Sequence, residues 1–314
     1  MRKRMLAIAT MSLAVPLIAL ASASPAMAQP KGIFEVFKEC PTEYAKYTES
    51  GEILCSVDKT TSGEVAIGST KVPINKEIVQ QGGFANFPES EVEYFGLPAK
   101  NGESLSKTAL NVPGGLLDLI DCEDIGTGFI EIFFREACKA TFEKGITEVT
   151  ATTELVANEK NPVIFNEAHL AKGKGTAITM PIRVHLKNSF LGNECYIGSE
   201  SEPIELHLTT GETSPPAGVT PLKGKVGTLE SVAEKGYEKL RITGNSLVDN
   251  DWASPGSNGC GELYIWPFGT IHGFLDSLVN DKLGIPNAAG KNAAVLDGEL
   301  QSSASPNVIA SESF

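Results

Sequence analysis

The chain has 314 residues and a net charge of −13 at neutral pH, which suits one large domain or two small ones. That acidity opposes binding to nucleic acid or anionic lipid and favours solubility. All six cysteines lie after residue 39, so thiol chemistry, if any, belongs to the body of the protein.

The first stretch carries Arg2, Lys3 and Arg4, an apolar run from Met5 to Leu20, and Ala26-Met27-Ala28. A positive head, an apolar middle and a small-x-small site make a secretory signal peptide over residues 1–28, with cleavage expected before Gln29. Thr10, Ser12 and Pro16 interrupt the run, which falls short of the roughly 20 apolar residues of a membrane span. No cysteine follows it directly, which argues against bacterial lipid attachment. Loss of three basic residues makes the remaining chain more acidic still.

An even cysteine count in an exported chain points to three disulfides. The sequence leaves their connectivity open, and proximity favours Cys40–Cys55, Cys122–Cys138 and Cys195–Cys260. The first two would each add roughly 3 kcal/mol in the chain-entropy picture, the longer third loop about 4. No C-x-x-C spacing and no zinc-finger histidine accompanies them, so metal or redox chemistry at these thiols is not expected.

After a turn-rich segment from Cys40 to Cys55, Val65 and Ile67 alternate with Glu64 and Ala66, and Gly68-Ser69 makes a turn. Lys71 to Val79 predicts a second strand, ended by Gly82-Gly83; Pro73 lacks a ladder donor, so the strand lies at an edge or begins at the proline. Pro88 and Pro98 break any long element before Lys107. Leu116 to Ile120 predicts one or two helical turns, Phe129 to Phe134 alternates weakly, and Ile146 to Ala157 is a Thr-rich strand.

The clearest pattern is the pair Ile182–Leu186 and Ile204–Leu208. Ile182, Val184 and Leu186 point one way and Arg183 and His185 the other; Ile204, Leu206 and Leu208 face in, Glu205 and His207 out. Such period-two alternation means half-buried strands, which can pair antiparallel across a connection carrying Cys195. Gly211 to Pro221 is a linker or a long crossover. Val226–Leu229 and Tyr237–Thr243 predict two further strands, and Asn250 to Gly261 a loop. Residues 269–284 predict an amphipathic helix, with Ile271, Phe274, Leu275, Leu278 and Val279 on one face and Gly284 and Pro286 as its stop. Residues 291–314 are small and polar and predict a flexible tail.

Motifs for chemistry are sparse. No G-x-S-x-G elbow occurs; Gly256-Ser257-Asn258-Gly259-Cys260 lacks the spacing and predicts a turn. His185, His207 and Glu205 are the candidate metal ligands, if the two strands bring them together. The alternation explains both histidines without a metal, since an outward face must be polar, so no metal is expected there and little stability should rest on either imidazole. His169 and His272 stand alone. Asp249-Asn250-Asp251 and the group Asp118, Asp121, Glu123 and Asp124 lack the ligand spacing of a calcium loop and predict solvated acids. No phosphate-cradling loop or basic aromatic patch is present, and no cofactor is implied.

The stretches LKNSFLGNECYIGSESEPIELHLTTGETSPP, NGCGELY, KLGIPNAAGKNAAVLDG and TSGEVAIGSTKVPINKEIVQQGG resemble blocks of uncharacterised secreted proteins of actinobacteria. The resemblance implies export and cystine, and transfers no catalytic residue. The expectation is a mainly β protein, an antiparallel sandwich-like fold or open barrel with one C-terminal amphipathic helix. Residues 29–290 form its disulfide-stapled domain, with a possible sub-boundary near 211–221. The expected function is a non-enzymatic extracellular or envelope module with a structural role or a glycan, lipid or protein partner. The alternatives are a secreted hydrolase whose site is assembled only in the fold, or a metal-binding protein using His185 and His207.

Overall fold

In a computed structural model, residues 28–48, 50–86, 93–265 and 269–314 are described. The leader expected at residues 1–28 lies, apart from Ala28, outside them, as does Pro88.

The strands in the first half are β1 (Leu54–Ile67), β2 (Thr70–Ile74), β3 (Ile78–Asn86), β4 (Glu93–Leu97) and β5 (Ala109–Asn111). Helix α1 (Phe129–Glu143) precedes β6 (Thr150–Leu155) and β7 (Ile164–Asn166); α2 (Glu167–Lys172) leads into β8 (Ile178–Lys187), β9 (Tyr196–Ile197) and β10 (Ile204–Leu208). Then come β11 (Thr228–Glu234), β12 (Tyr237–Asp249), β13 (Ser257–Asn258), β14 (Glu262–Ile265), β15 (Gly269–His272), α3 (Asp276–Leu283), β16 (Ala293–Ala304) and α4 (Ser305–Ser311).

Fourteen of these strands form one antiparallel, unclosed sheet in the order β11-β12-β16-β1-β3-β4-β7-β8-β6-β5, with β2 on β1, β9 and β10 on β8, and β13 on β9. The fold is therefore mainly antiparallel β and sandwich-like. The β1, β3 and β16 part of the sheet is set against β8 and β10, and Ile67, Ala294 and Leu300 share one core with Ile178, Ile182 and Leu206. A second, smaller core covers the opposite face of β1, where Phe34, Phe37, Cys55, Val57 and Val308 meet. Bulges between Thr60 and Ser62 and between Thr243 and Asn245 both face Gly298, and bend the long strands as an extra residue does. A side chain at Gly298 would strike the Lys59 carbonyl, so this crossing demands glycine.

Strands β8 and β10 pair as their alternation requires, Ile204 opposite Ile182 and Leu208 opposite Ile178. Pro73 sits on β2, which hydrogen-bonds only to β1, an edge position that tolerates the missing donor. The three disulfides are Cys40–Cys55, Cys122–Cys138 and Cys195–Cys260, a set that fits an oxidising, exported setting. No helix among the described residues is long and apolar enough to cross a membrane.

Several expectations are corrected. Strand β3 runs through Gly82-Gly83, because these glycines permit close approach: a Cβ at Gly82 would lie 2.6 Å from the Leu97 carbonyl oxygen, and one at Gly83 3.2 Å from the Pro41 ring. Residues 129–134 begin helix α1, which the Cys122–Cys138 bond staples to the preceding turn and whose continuation through Arg135 to Phe142 is rich in helix formers. The helix expected over 269–284 is only its second half. Residues 269–272 pair with Glu262–Ile265 as a hairpin, Gly273 turns the chain at positive φ, and the Asp276 carboxylate holds the helix start by accepting from Gly259 N and Cys260 N. Leu275, Val279 and Leu283 are buried, so α3 is docked.

The segment 211–221 folds back on the body. Thr213 is buried, its hydroxyl donates to Asn250 Oδ1 at 2.6 Å, and its backbone N–H donates to the Leu222 carbonyl. The same sheet continues on both sides of it, so the segment is a crossover. Residues 291–314 are no loose tail. They supply β16, which lies between β12 and β1, and α4, which covers the second core.

Candidate functional site

Strands β4 and β7 are short, and their ends leave a gap in the sheet. Beyond Gly83↔Leu97, β3 has no β4 partner, while β8 beyond Thr179 passes from β7 to β6. The chain splays apart there into residues 98–107 on one side and 157–163 on the other. The result is an open cleft of about 670 Å³, within the ~300–1,000 Å³ range of ligand sites. Backbone bonds fix its walls: Gln81 N–H donates to the Ser104 carbonyl at 2.8 Å, and Asn158 Oδ1 accepts from Lys160 N at 2.9 Å.

One wall of the cleft is a polar brace. Arg183 donates from Nε and Nη2 to Glu154 Oε2 at 2.9 and 2.8 Å, because β6 and β8 place the two residues directly opposite. His185, two residues on and on the same face, directs Nδ1 at Glu154 Oε1 across 3.4 Å, while its Nε2–H donates to the Asn193 carbonyl at 2.9 Å. Its ring stacks on Tyr196 at 4.3 Å, and the Arg183 guanidinium lies 4.2 Å from the same ring. Burial and the Glu154 charge push the Tyr196 hydroxyl up, with Arg183 opposing. Cys195, bonded to Cys260, anchors this tyrosine from the adjacent position.

The brace leaves little for acid–base chemistry. Two Arg183 hydrogen bonds hold Glu154 Oε2 and the Asn193 carbonyl holds His185 Nε2, whereas a general acid or base needs a free side toward the substrate. What the cleft offers a ligand is the Tyr196 ring, the Gln80 and Gln81 amides, the Ser104 hydroxyl and the outer groups Glu103, Lys107 and Asn158.

Behind the cleft lies the space between the two parts of the sheet. It holds apolar cavities of about 70 and 50 Å³ that share Val65, Ile67, Ile78, Thr153 and Val184. The larger one shares Gln80, Leu105 and Thr153 with the cleft, so these three residues form a mouth. Polar groups line this mostly apolar space, Trp252 and Asp58 beside Thr60, Gln80 and Thr153. Trp252 is 3 % exposed and its Nε1 has no hydrogen-bond partner among the described residues. Asp58, 8 % exposed and paired across the sheet with Gln80, is pushed up to about 7 by burial and then by the Glu299 charge, against a hydrogen bond from Lys59 N–H. At ~24 cal/mol per Å³, the two voids together cost the fold on the order of 3 kcal/mol.

Comparison with family models, with curated proteins and with solved structures found no match.

The candidate metal ligands do not converge. His207 lies opposite Thr179, six residues along β8 from His185, which separates them by roughly 20 Å at ~3.3 Å per residue. Glu205 is opposite Pro181 and exposed. Among the described residues no group of three His, Cys, Asp or Glu side chains is placed to hold a metal ion. His185 is also not a solvated surface residue: it is 7 % exposed, because Tyr196 and the 188–193 loop cover the outward face of β8. Its removal therefore costs stability. His207 donates its backbone N–H to Asp249 Oδ2 at 2.6 Å, and Asp249 is buried rather than solvated, its carboxyl raised by burial. Asp118, Asp121, Glu123 and Asp124 are exposed as expected, Glu123 pairing with Lys139.

Sequence reasoning singled out His185 and noted Arg183, and missed Glu154 and Tyr196. The shared parity of Arg183 and His185 was a usable signal, as was an aromatic next to a cystine. Glu154 was hidden because its place depends on the β6–β8 register.

Proposed function

We propose that this chain is an exported, non-enzymatic binding module whose cleft takes a hydroxyl-rich ligand of the glycan class. The observation that carries it is the cleft itself, large enough for a small saccharide and lined by amides, a hydroxyl and a tyrosine over a braced Arg–Glu–His wall. Amides and hydroxyls both donate and accept, which matches sugar hydroxyls. The acidic surface disfavours anionic ligands. A fixed cleft limits the ordering cost of binding.

The hydrolase alternative draws on Glu103 and Glu154 lining one cleft. The two hydrogen bonds that tie Glu154 Oε2 to Arg183 argue for binding instead.

The test is binding of the chain from Gln29 onward to an array of neutral and charged glycans. Selective binding is expected, weakened at least tenfold by Arg183→Ala, which releases Glu154 and Tyr196 together. Absence of any selective glycan, or retention of full affinity by a folded Arg183→Ala protein, sinks the proposal.

A further inference from the structure

We infer that the ligand is amphiphilic: a polar head sits in the cleft, and a short aliphatic arm passes between Gln80, Leu105 and Thr153 into the apolar space behind it. The inference rests on the cleft being the ligand site, and deepens it by naming the ligand class as an acylated or alkylated glycan. Three observations converge. The polar cleft and the larger cavity share Gln80, Leu105 and Thr153, so only these side chains need part for an occupant of one to enter the other. The cavity walls are mostly aliphatic, with Met180, Ile182, Ile204 and Leu206 among them, and suit a hydrocarbon better than a sugar ring. Trp252 lines the same cavity with a buried indole N–H that no group among the described residues accepts, a donor suited to an oxygen carried on the arm.

The size of the space limits the arm. An apolar cavity of ~150 Å³ holds a benzene ring, so lobes of about 70 and 50 Å³ hold roughly five carbons between them. The two lobes border on the same side chains, Val65, Ile67, Ile78, Thr153 and Val184, whose rotamers govern passage from one to the other. Affinity should therefore grow with chain length and then stop growing.

Alkyl β-glucosides from methyl to decyl are the probes, titrated below their micellar concentrations against the chain from Gln29 onward. Affinity is expected to rise about fourfold per methylene up to roughly five or six carbons and to level off beyond. The Trp252 indole N–H resonance, assigned with Trp252→Phe, is expected to move with the longer arms and stay put with methyl glucoside. Ala294→Leu, which adds volume inside the larger cavity, should flatten the length dependence while leaving methyl glucoside binding unchanged. Length-independent affinity with an unmoved Trp252 resonance overturns the inference and leaves the cleft as a plain glycan site. If hexanol binds as tightly as hexyl glucoside and moves the Trp252 resonance, the apolar arm site stands and the glycan head site falls. If no glucoside or alcohol binds, both fall.

Discussion

A chain ended after Lys291 is expected not to fold. Strand β16 lies between β12 and β1 and pairs with both along most of its length. Removing it leaves two long strands with unpaired backbone groups facing each other across an empty lane, each a costly loss when buried. It also removes Ala294 and Leu300 from the main core and Val308 from the second. The sum exceeds the ~5–15 kcal/mol of net stability that a domain holds. Circular dichroism and calorimetry of the truncated protein should show no cooperative melt. A cooperative transition near the full-length temperature would show that β1 and β12 close up without β16, and would undo the sheet order given above.

Replacing Asp58 by Asn is expected to stabilise the protein at neutral and alkaline pH. The sign follows from a folded-state pKa raised to about 7 against an unfolded value near 3.8. A raised carboxyl favours the folded state while protonated, so its contribution is complete below about pH 4 and is lost as pH rises through about 7. At ~1.36 kcal/mol per unit, the ionised carboxylate costs up to about 4 kcal/mol at pH 8. An asparagine at this position carries no charge to bury and should recover most of that, with little gain at pH 4. Asp249 and Asp276 are raised by burial as well, so the Asp58→Asn protein keeps part of the fall with pH. Glu299 acts oppositely: burial would raise it, but Arg241, Gln301 and Lys59 together lower it. Urea unfolding at pH 5, 6.5 and 8 measures the slope. An unchanged slope in Asp58→Asn would place the carboxyl in contact with water.

The β class and the central strand pair were legible because β8 and β10 each bury one face, and alternation encodes that directly. The three disulfides were legible in number and by proximity. Strand β16 was not, for a physical reason: it is covered on both sides by neighbouring layers, and its buried Ser302 and Ser303 and its Gly298 give neither alternation nor β propensity. Small residues serve there because β1 crosses so closely. Helix α1 was obscured because its first residues alternate by chance, and its length emerges only in Arg135 to Phe142. The candidate site was half visible. Arg183 and His185 share a face by parity alone, but their partner Glu154 is fixed by a pairing register that no local pattern specifies. The mouth at Gln80, Leu105 and Thr153 joins three distant segments, so it exists only in the fold.

Hydrogen exchange of the backbone, measured with and without a glycan or alkyl glycoside that binds, addresses the cleft most directly. Protection is expected at residues 80–82, 102–107, 153–158 and around Tyr196, which line it, with the ligand recovered chemically intact. Protection confined to another surface, such as the α1 helix or the outer strand β11, would contradict the assignment of the cleft; recovery of a cleaved ligand would contradict its reading as a binding site without catalysis.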